Sequence, residues 1–156
     1  MTHYLQGDAR DLETEIARYT QLLDEAPIDL AFAGFGENGH IAFNDPPVAN
    51  FEDPLTVKIV TLDDACRHQQ AGEGHFPDFD SVPLRALTIT CSGLFRAEAW
   101  VCNVPDFRKA EAVRNALEGL ISESCPASLV RKHPNSYVFL DLPSASLLSE
   151  LKRTIP

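Results

Sequence analysis

Positive charge is scarce in this chain: 13 lysines and arginines stand against 23 aspartates and glutamates, a formal charge of −10 over 156 residues. A polyanion partner needs a basic stripe to neutralise its phosphates, so nucleic acid and anionic membrane surfaces are excluded as partners. No apolar run approaches the roughly 20 residues that span a bilayer. The start, Thr2-His3-Tyr4-Leu5-Gln6-Gly7-Asp8, has neither a basic opening nor an apolar stretch, so no secretory leader is expected. The four cysteines (Cys66, Cys91, Cys102 and Cys125) show no paired metal spacing and read as reduced thiols, which places the protein in the cytoplasm. His68, His75 and Cys66 do not make a zinc site at normal ligand spacing. No internal repeat or low-complexity tract occurs. What remains, 44% hydrophobic and 23% charged residues, is ordinary globular composition and reads as a single domain over 1–156.

Apolar periodicity predicts alternating elements. Leu12, Ile16, Tyr19, Leu22 and Leu23 recur at helical spacing, with Asp8 as N-cap and Pro27 closing the segment. Strands are predicted at 28–35, 57–62, 86–90, 99–104 and 136–141. Helices are predicted at 63–70, 107–118, 126–132 and 144–152. The stretch 74–83, rich in aspartate, phenylalanine and proline, reads as a loop that could form a lid. Cys91-Ser92-Gly93 reads as a strand end and His133 as a helix end. Strands alternating with helices predict an α/β fold: a mainly parallel sheet with helices on both faces, a Rossmann-like three-layer sandwich.

The informative segment is Gly34-Phe35-Gly36-Glu37-Asn38-Gly39-His40-Ile41-Ala42-Phe43-Asn44-Asp45-Pro46. It follows an apolar strand and gathers three glycines, a histidine, two carboxylates and two carboxamides into a turn closed by Pro46 and Pro47. Open α/β sheets place ligands just past the carboxyl ends of their strands. An imidazole five residues from a carboxylate is equipment for moving protons near neutral pH. Gly34-x-Gly36-x-x-Gly39 also matches the dinucleotide fingerprint. That fingerprint requires a long helix beginning inside it, and Asn44-Asp45-Pro46-Pro47 cuts such a helix to about two turns. A tight turn with an incidental histidine is the plain structural alternative.

The loop resembles that of the glucosamine-6-phosphate deaminase family, within the wider group of sugar-phosphate isomerases and 6-phosphogluconolactonases. The family usually has glutamate where this chain has Asp45. The likeness continues in order through Val57-Lys58-Ile59-Val60-Thr61-Leu62, Cys66-Arg67, Val82-Pro83, Ala86-Leu87-Thr88-Ile89-Thr90, Lys109-Ala110, Pro126-Ala127-Ser128 and Val138-Phe139-Leu140-Asp141. It covers nearly the whole chain, and it corresponds to the carboxyl-terminal two-thirds of the family's fold. The expected architecture is therefore a truncated version of the sandwich, without the family's glycine-threonine phosphate loop and without the aspartate that shuttles the C2 proton.

The resemblance implies deamination of D-glucosamine 6-phosphate to D-fructose 6-phosphate and ammonia, a step of amino-sugar catabolism that needs no metal or organic cofactor. His40 would open the pyranose ring, Asp45 would orient it, and Asn38 would hold geometry without exchanging a proton. Gly34, Gly36 and Gly39 would shape the substrate loop, and Lys109 and Arg67 would contact the phosphate. An arginine paired with Asp63 or Asp64 on a helix surface explains Arg67 nearly as well. Lys109 falls in the first turn of a helix capped by Asp106, where a cation opposes the macrodipole unless an anion sits nearby. The partner is a small sugar phosphate, with room left for a homo-oligomer. A lactonase acting on a six-phosphorylated sugar lactone is the enzymatic rival, although its loop typically continues Gly-His-Thr-Ala-Ser-Leu-Phe-Pro. A sugar-phosphate-binding remnant without catalysis is the other. Without the C2 aspartate, little or no deaminase activity is expected of the isolated chain.

Overall fold

The computed structural model describes residues 1–149. In chain order the elements are α1 (Leu12–Asp24), β1 (Leu30–Ala33), β2 (Val57–Thr61), α2 (Asp64–Gly72), β3 (Arg85–Ile89), α3 (Cys91–Phe95) and β4 (Ala99–Val104). A 3-10 turn, Phe107–Lys109, then runs into α4 (Ala110–Glu118), and a second 3-10 segment, Pro126–Arg131, precedes β5 (Ser136–Leu140).

Capping residues set the helix starts. Asp11, not Asp8, caps α1: its carboxylate accepts from the Glu13 and Thr14 amides, both at 3.1 Å. Asp8 lies in the turn before it, too far from the first free amides to serve. Asp63 caps α2 through the Cys66 amide at 2.7 Å. Thr90 accepts from the Gly93 amide at 3.0 Å, so Cys91-Ser92-Gly93 opens the short helix α3 and does not end a strand. The predicted helix at 144–152 is a run of turns as far as Leu147 and irregular at 148–149, and its remainder lies outside the described residues. The Pro126–Arg131 stretch is 3-10 and not α.

Strands β1, β4 and β5 form a parallel sheet in the order β1-β4-β5. Strands β2 and β3 stand apart as an antiparallel pair, with Ile59 opposite Leu87. The α/β class and the mainly parallel sheet are those expected. On β4, the inward side chains Trp100, Cys102 and Val104 are fully buried against α4 (Val113, Ala116) and against Leu129 and Val130. The Trp100 indole donates to the Leu94 carbonyl at 2.8 Å and stacks on His133. His133 is therefore a core residue, its ring nitrogen 2.8 Å from the Ala97 carbonyl.

The covering of the sheet departs from a complete three-layer sandwich. Leu30, Phe32, Tyr137 and Phe139 on its other face are exposed, Phe32 at 78%. Helices of the described residues cover one face of β1-β4-β5 and leave that one bare. A second core, Val60, Leu62, Cys66 and Val82, joins β2 to α2 and receives Phe43 from the glycine loop. Among the described residues no helix is long and apolar enough to cross a membrane.

Candidate active site at the strand ends

The glycine loop leaves the carboxyl end of β1 beside the end of β4 and floors a hollow of about 720 Å³. Gly34, Gly36, His40, Asn103, Glu73 and Lys109 are among its lining residues. Two lining residues that are not glycine hold positive φ, Ala42 at 51° and Asp106 at 86°. Such strain persists only where surrounding contacts over-determine the backbone, and it gathers at functional sites.

His40 and Asp45 meet directly. Nδ1 stands 3.0 Å from Oδ1, with His40 only 6% exposed and Asp45 fully buried. The two atoms are in close polar contact, but the geometry does not make a straight hydrogen bond. Aspartate, one methylene shorter than the family's usual glutamate, still reaches this distance. Burial penalises the Asp45 carboxylate, but His40, the Asn38 amide and the Asp63 backbone N–H stabilise it and hold its pKa below the ordinary value.

Asn38 is the hub beneath this pair. Its Nδ2 donates to Asp45 Oδ1 at 3.0 Å and to Asp63 Oδ2 at 2.9 Å, and its Oδ1 accepts from the His40 amide at 3.0 Å. The side chain thereby fixes the loop conformation and the carboxylate at once. Gly39 carries φ +84°, a conformation that favours glycine, and Cys125 presses on it. It shapes the turn but is not among the residues lining the hollow. Asn44, fully buried, donates to the Ile41 and Ile89 carbonyls at 2.9 Å each and ties the loop to β3.

Lys109 ends the 3-10 turn and is 92% buried, its Nζ 3.0 Å from Glu73 Oε1. Asp106 caps the turn as the sequence implied, accepting from the Arg108 amide at 2.9 Å. Arg108, also on the hollow, pairs with Asp106 at 3.0 Å and with Glu37 at 3.6 Å. Arg67 points elsewhere. It is buried, donates to the Phe79 and Val82 carbonyls at 3.0 and 3.2 Å, and lies over the Phe79 ring at 3.9 Å. It is not among the residues lining the hollow, and its weak contact with Asp64 is 3.6 Å. Its work is to fasten the 74–83 segment, so that segment is pinned where a lid was anticipated.

Glu73 is not legible in the sequence as a site residue, and Cys66 is legible only as a thiol without zinc partners. Gly72-Glu73-Gly74 reads as a helix stop, which it is, and the carboxylate between the glycines carries no motif of its own. Donor atoms of Cys66, His40 and Asp45 lie within 4.8 Å of one another, the one such group among the described residues. Burial first, and then the Asp45 and Asp63 charges, push the Cys66 thiol up to about 12. It is a proton-bearing neighbour of Asp45, not a ready thiolate ligand.

Superposition places this sheet and its glycine loop in the fold shared by amino-sugar-phosphate deaminases and 6-phosphogluconolactonases. A 6-phosphogluconolactonase from Leishmania guyanensis superposes with a TM-score of 0.64 at 17% identity over 88% of this chain and 53% of its own, a likeness of fold alone. A monomeric glucosamine-6-phosphate deaminase superposes much better, with a TM-score of 0.84 at 40% identity over 92% of this chain and 58% of that one. Glucosamine-6-phosphate deaminases of Bacillus thuringiensis and Bacillus cereus are 39% identical over 149 residues, 96% of this chain and 55% of theirs. The chain is thus similar over nearly its whole length to glucosamine-6-phosphate deaminases, and it spans little more than half the length of these relatives. No family model matches it.

Proposed function

We propose that this chain carries the ring-opening half of a glucosamine-6-phosphate deaminase site. The observation that carries the reading is His40, held 3.0 Å from a buried carboxylate at the floor of a hollow with Lys109 on its wall. Imidazole with a reference pKa of about 6.5 can accept and return a proton near neutrality. His40 takes the proton of the anomeric hydroxyl, the bond between C1 and the ring oxygen breaks, and the proton passes to that oxygen, leaving the open aldehyde. Asp45 stabilises the imidazolium while it exists. Lys109 holds the phosphate, and Asn38 keeps both members of the pair in place.

The rest of the reaction needs a base to move the C2 proton to C1. Water then adds at C2, ammonia leaves, and the ketose phosphate is released. The carboxylates on the hollow wall, Glu73 and Asp106, are both paired with cations. Neither is poised as that base, so the 156-residue chain is expected to open the ring and release little or no ammonia. Exchange between the anomers of glucosamine 6-phosphate, followed by NMR, tests the first half; an ammonia assay tests the second. His40→Asn should abolish accelerated exchange. Ammonia release at a rate comparable to a full-length relative would show that a base lies within this chain. Hydrolysis of a six-phosphorylated lactone with no effect on the amino sugar would favour the lactonase reading.

A further inference from the structure

We propose that Glu73 is an internal counter-ion that competes with phosphate for Lys109, so that a phosphate must displace its carboxylate to bind. The proposal rests on the reading of Lys109 as the phosphate contact. Glu73 Oε1 lies 3.0 Å from Lys109 Nζ, and both residues line the hollow. Lys109 is 92% buried, so it has little solvent to fall back on and needs an anionic partner in every state. Glu73 is held in place to supply one. Gln69 Nε2 donates to the same Oε1 at 2.9 Å, while Gln69 Oε1 accepts from the Glu37 amide of the glycine loop at 2.8 Å. The carboxylate is therefore tied through one side chain to the loop that bears His40.

The surrounding charges sharpen the consequence. Arg108 and Lys109 face Glu37, Glu73 and Asp106, three carboxylates against two cations. A phosphate monoester carrying about −1.5 to −2 charge at neutral pH meets a neighbourhood already saturated with anions. It can contact Lys109 closely only if Glu73 swings away, and Glu73, at the C-cap of α2 with a side chain 23% exposed, has room to do so. Glu73 thus weakens the binding of any phosphate that reaches Lys109.

The test is calorimetric titration of the 156-residue chain with glucosamine 6-phosphate, inorganic phosphate and unphosphorylated glucosamine. It compares the wild type with Glu73→Gln, Lys109→Met and the double variant. Glutamine keeps the acceptor for Gln69 and Lys109 and removes only the charge. Glu73→Gln should tighten both phosphate-bearing ligands about tenfold, the scale of one charge-assisted contact, and leave glucosamine unchanged. In the Lys109→Met background the same change should have no effect. Unchanged or weaker phosphate binding in Glu73→Gln, with Lys109→Met still harmful, overturns the role of Glu73 alone. Lys109→Met without effect, or no binding by any variant, overturns the phosphate reading of Lys109 and the proposal with it.

Discussion

The ring of His40 lies so close to the Cα of Gly36 that a Cβ on residue 36 would stand 2.1 Å from His40 Cε1 and 2.2 Å from Nδ1. The glycine is there to let the imidazole lie against the backbone, and the ring's position opposite Asp45 depends on that clearance. Gly36→Ala should push the ring out of the pair. Overpacking of this kind costs about 1–3 kcal/mol, and misplacement of a reacting group by about 1 Å can cost about a hundredfold in rate. Urea unfolding and anomer exchange would measure the two effects; unchanged exchange in a folded variant would show that the ring does not depend on Gly36.

Asp45→Asn keeps volume and removes charge where two donors converge, Asn38 Nδ2 and the Asp63 amide (the latter at 3.3 Å from Oδ2), with His40 Nδ1 standing 3.0 Å away. A carboxamide must turn its NH2 toward one of them, leaving a buried donor without an acceptor. The expected loss is about 1–3 kcal/mol, read as a lower urea midpoint, together with loss of anomer exchange. A variant as stable as the wild type would mean that Asp45 is not the common acceptor.

Asp45 and Asn38 show how much of the site was legible. The spacing from His40 to Asp45 sits inside one loop, so local chain geometry alone brings the two together and the motif suffices. Strands were legible for a similar reason: their apolar runs were found within about two residues of their ends. Contacts between distant segments were not. Arg67 shares a helix turn with Asp63 and Asp64, yet its guanidinium is taken by carbonyls of the 79–82 segment, which no spacing announces. Glu73 meets Lys109 across 36 residues, and the antiparallel pairing of β2 with β3 runs against the parallel pairing that an intervening helix suggests.

Acid should unfold this chain through carboxylates that are stabilised in the folded state, and Glu15 is the clearest. The Arg18 side chain, then the Gln6 amide, lower its pKa from 4.5 to about 2. A lowered folded pKa means stability that is present above the unfolded value and lost as pH falls through the folded one. Glu15 therefore contributes fully above about pH 5 and loses its contribution between 4.5 and about 2. Carboxyl NMR should place its midpoint near 2, and Glu15→Gln should flatten part of the acid slope of the urea midpoint. A Glu15 midpoint near 4.5 would remove the group from the account.

Leu30, Phe32, Tyr137 and Phe139 share one sheet face, since Phe32 pairs with Val101 and Val101 with Tyr137 across β4. Parallel sheets are ordinarily covered on both faces, and an uncovered apolar patch of this kind binds hydrophobic dyes and invites association. The 156-residue chain should enhance the fluorescence of anilinonaphthalene sulfonate in its native state. Phe32→Thr combined with Phe139→Thr should reduce that signal, because threonine keeps the strand preference while removing the rings. With both rings 78% and 58% exposed, little packing is lost, and stability should stay within about 0.5 kcal/mol per site. A destabilisation of several times that size would mean the rings are covered in solution, and sedimentation of the same variant would then show whether a second copy covers them.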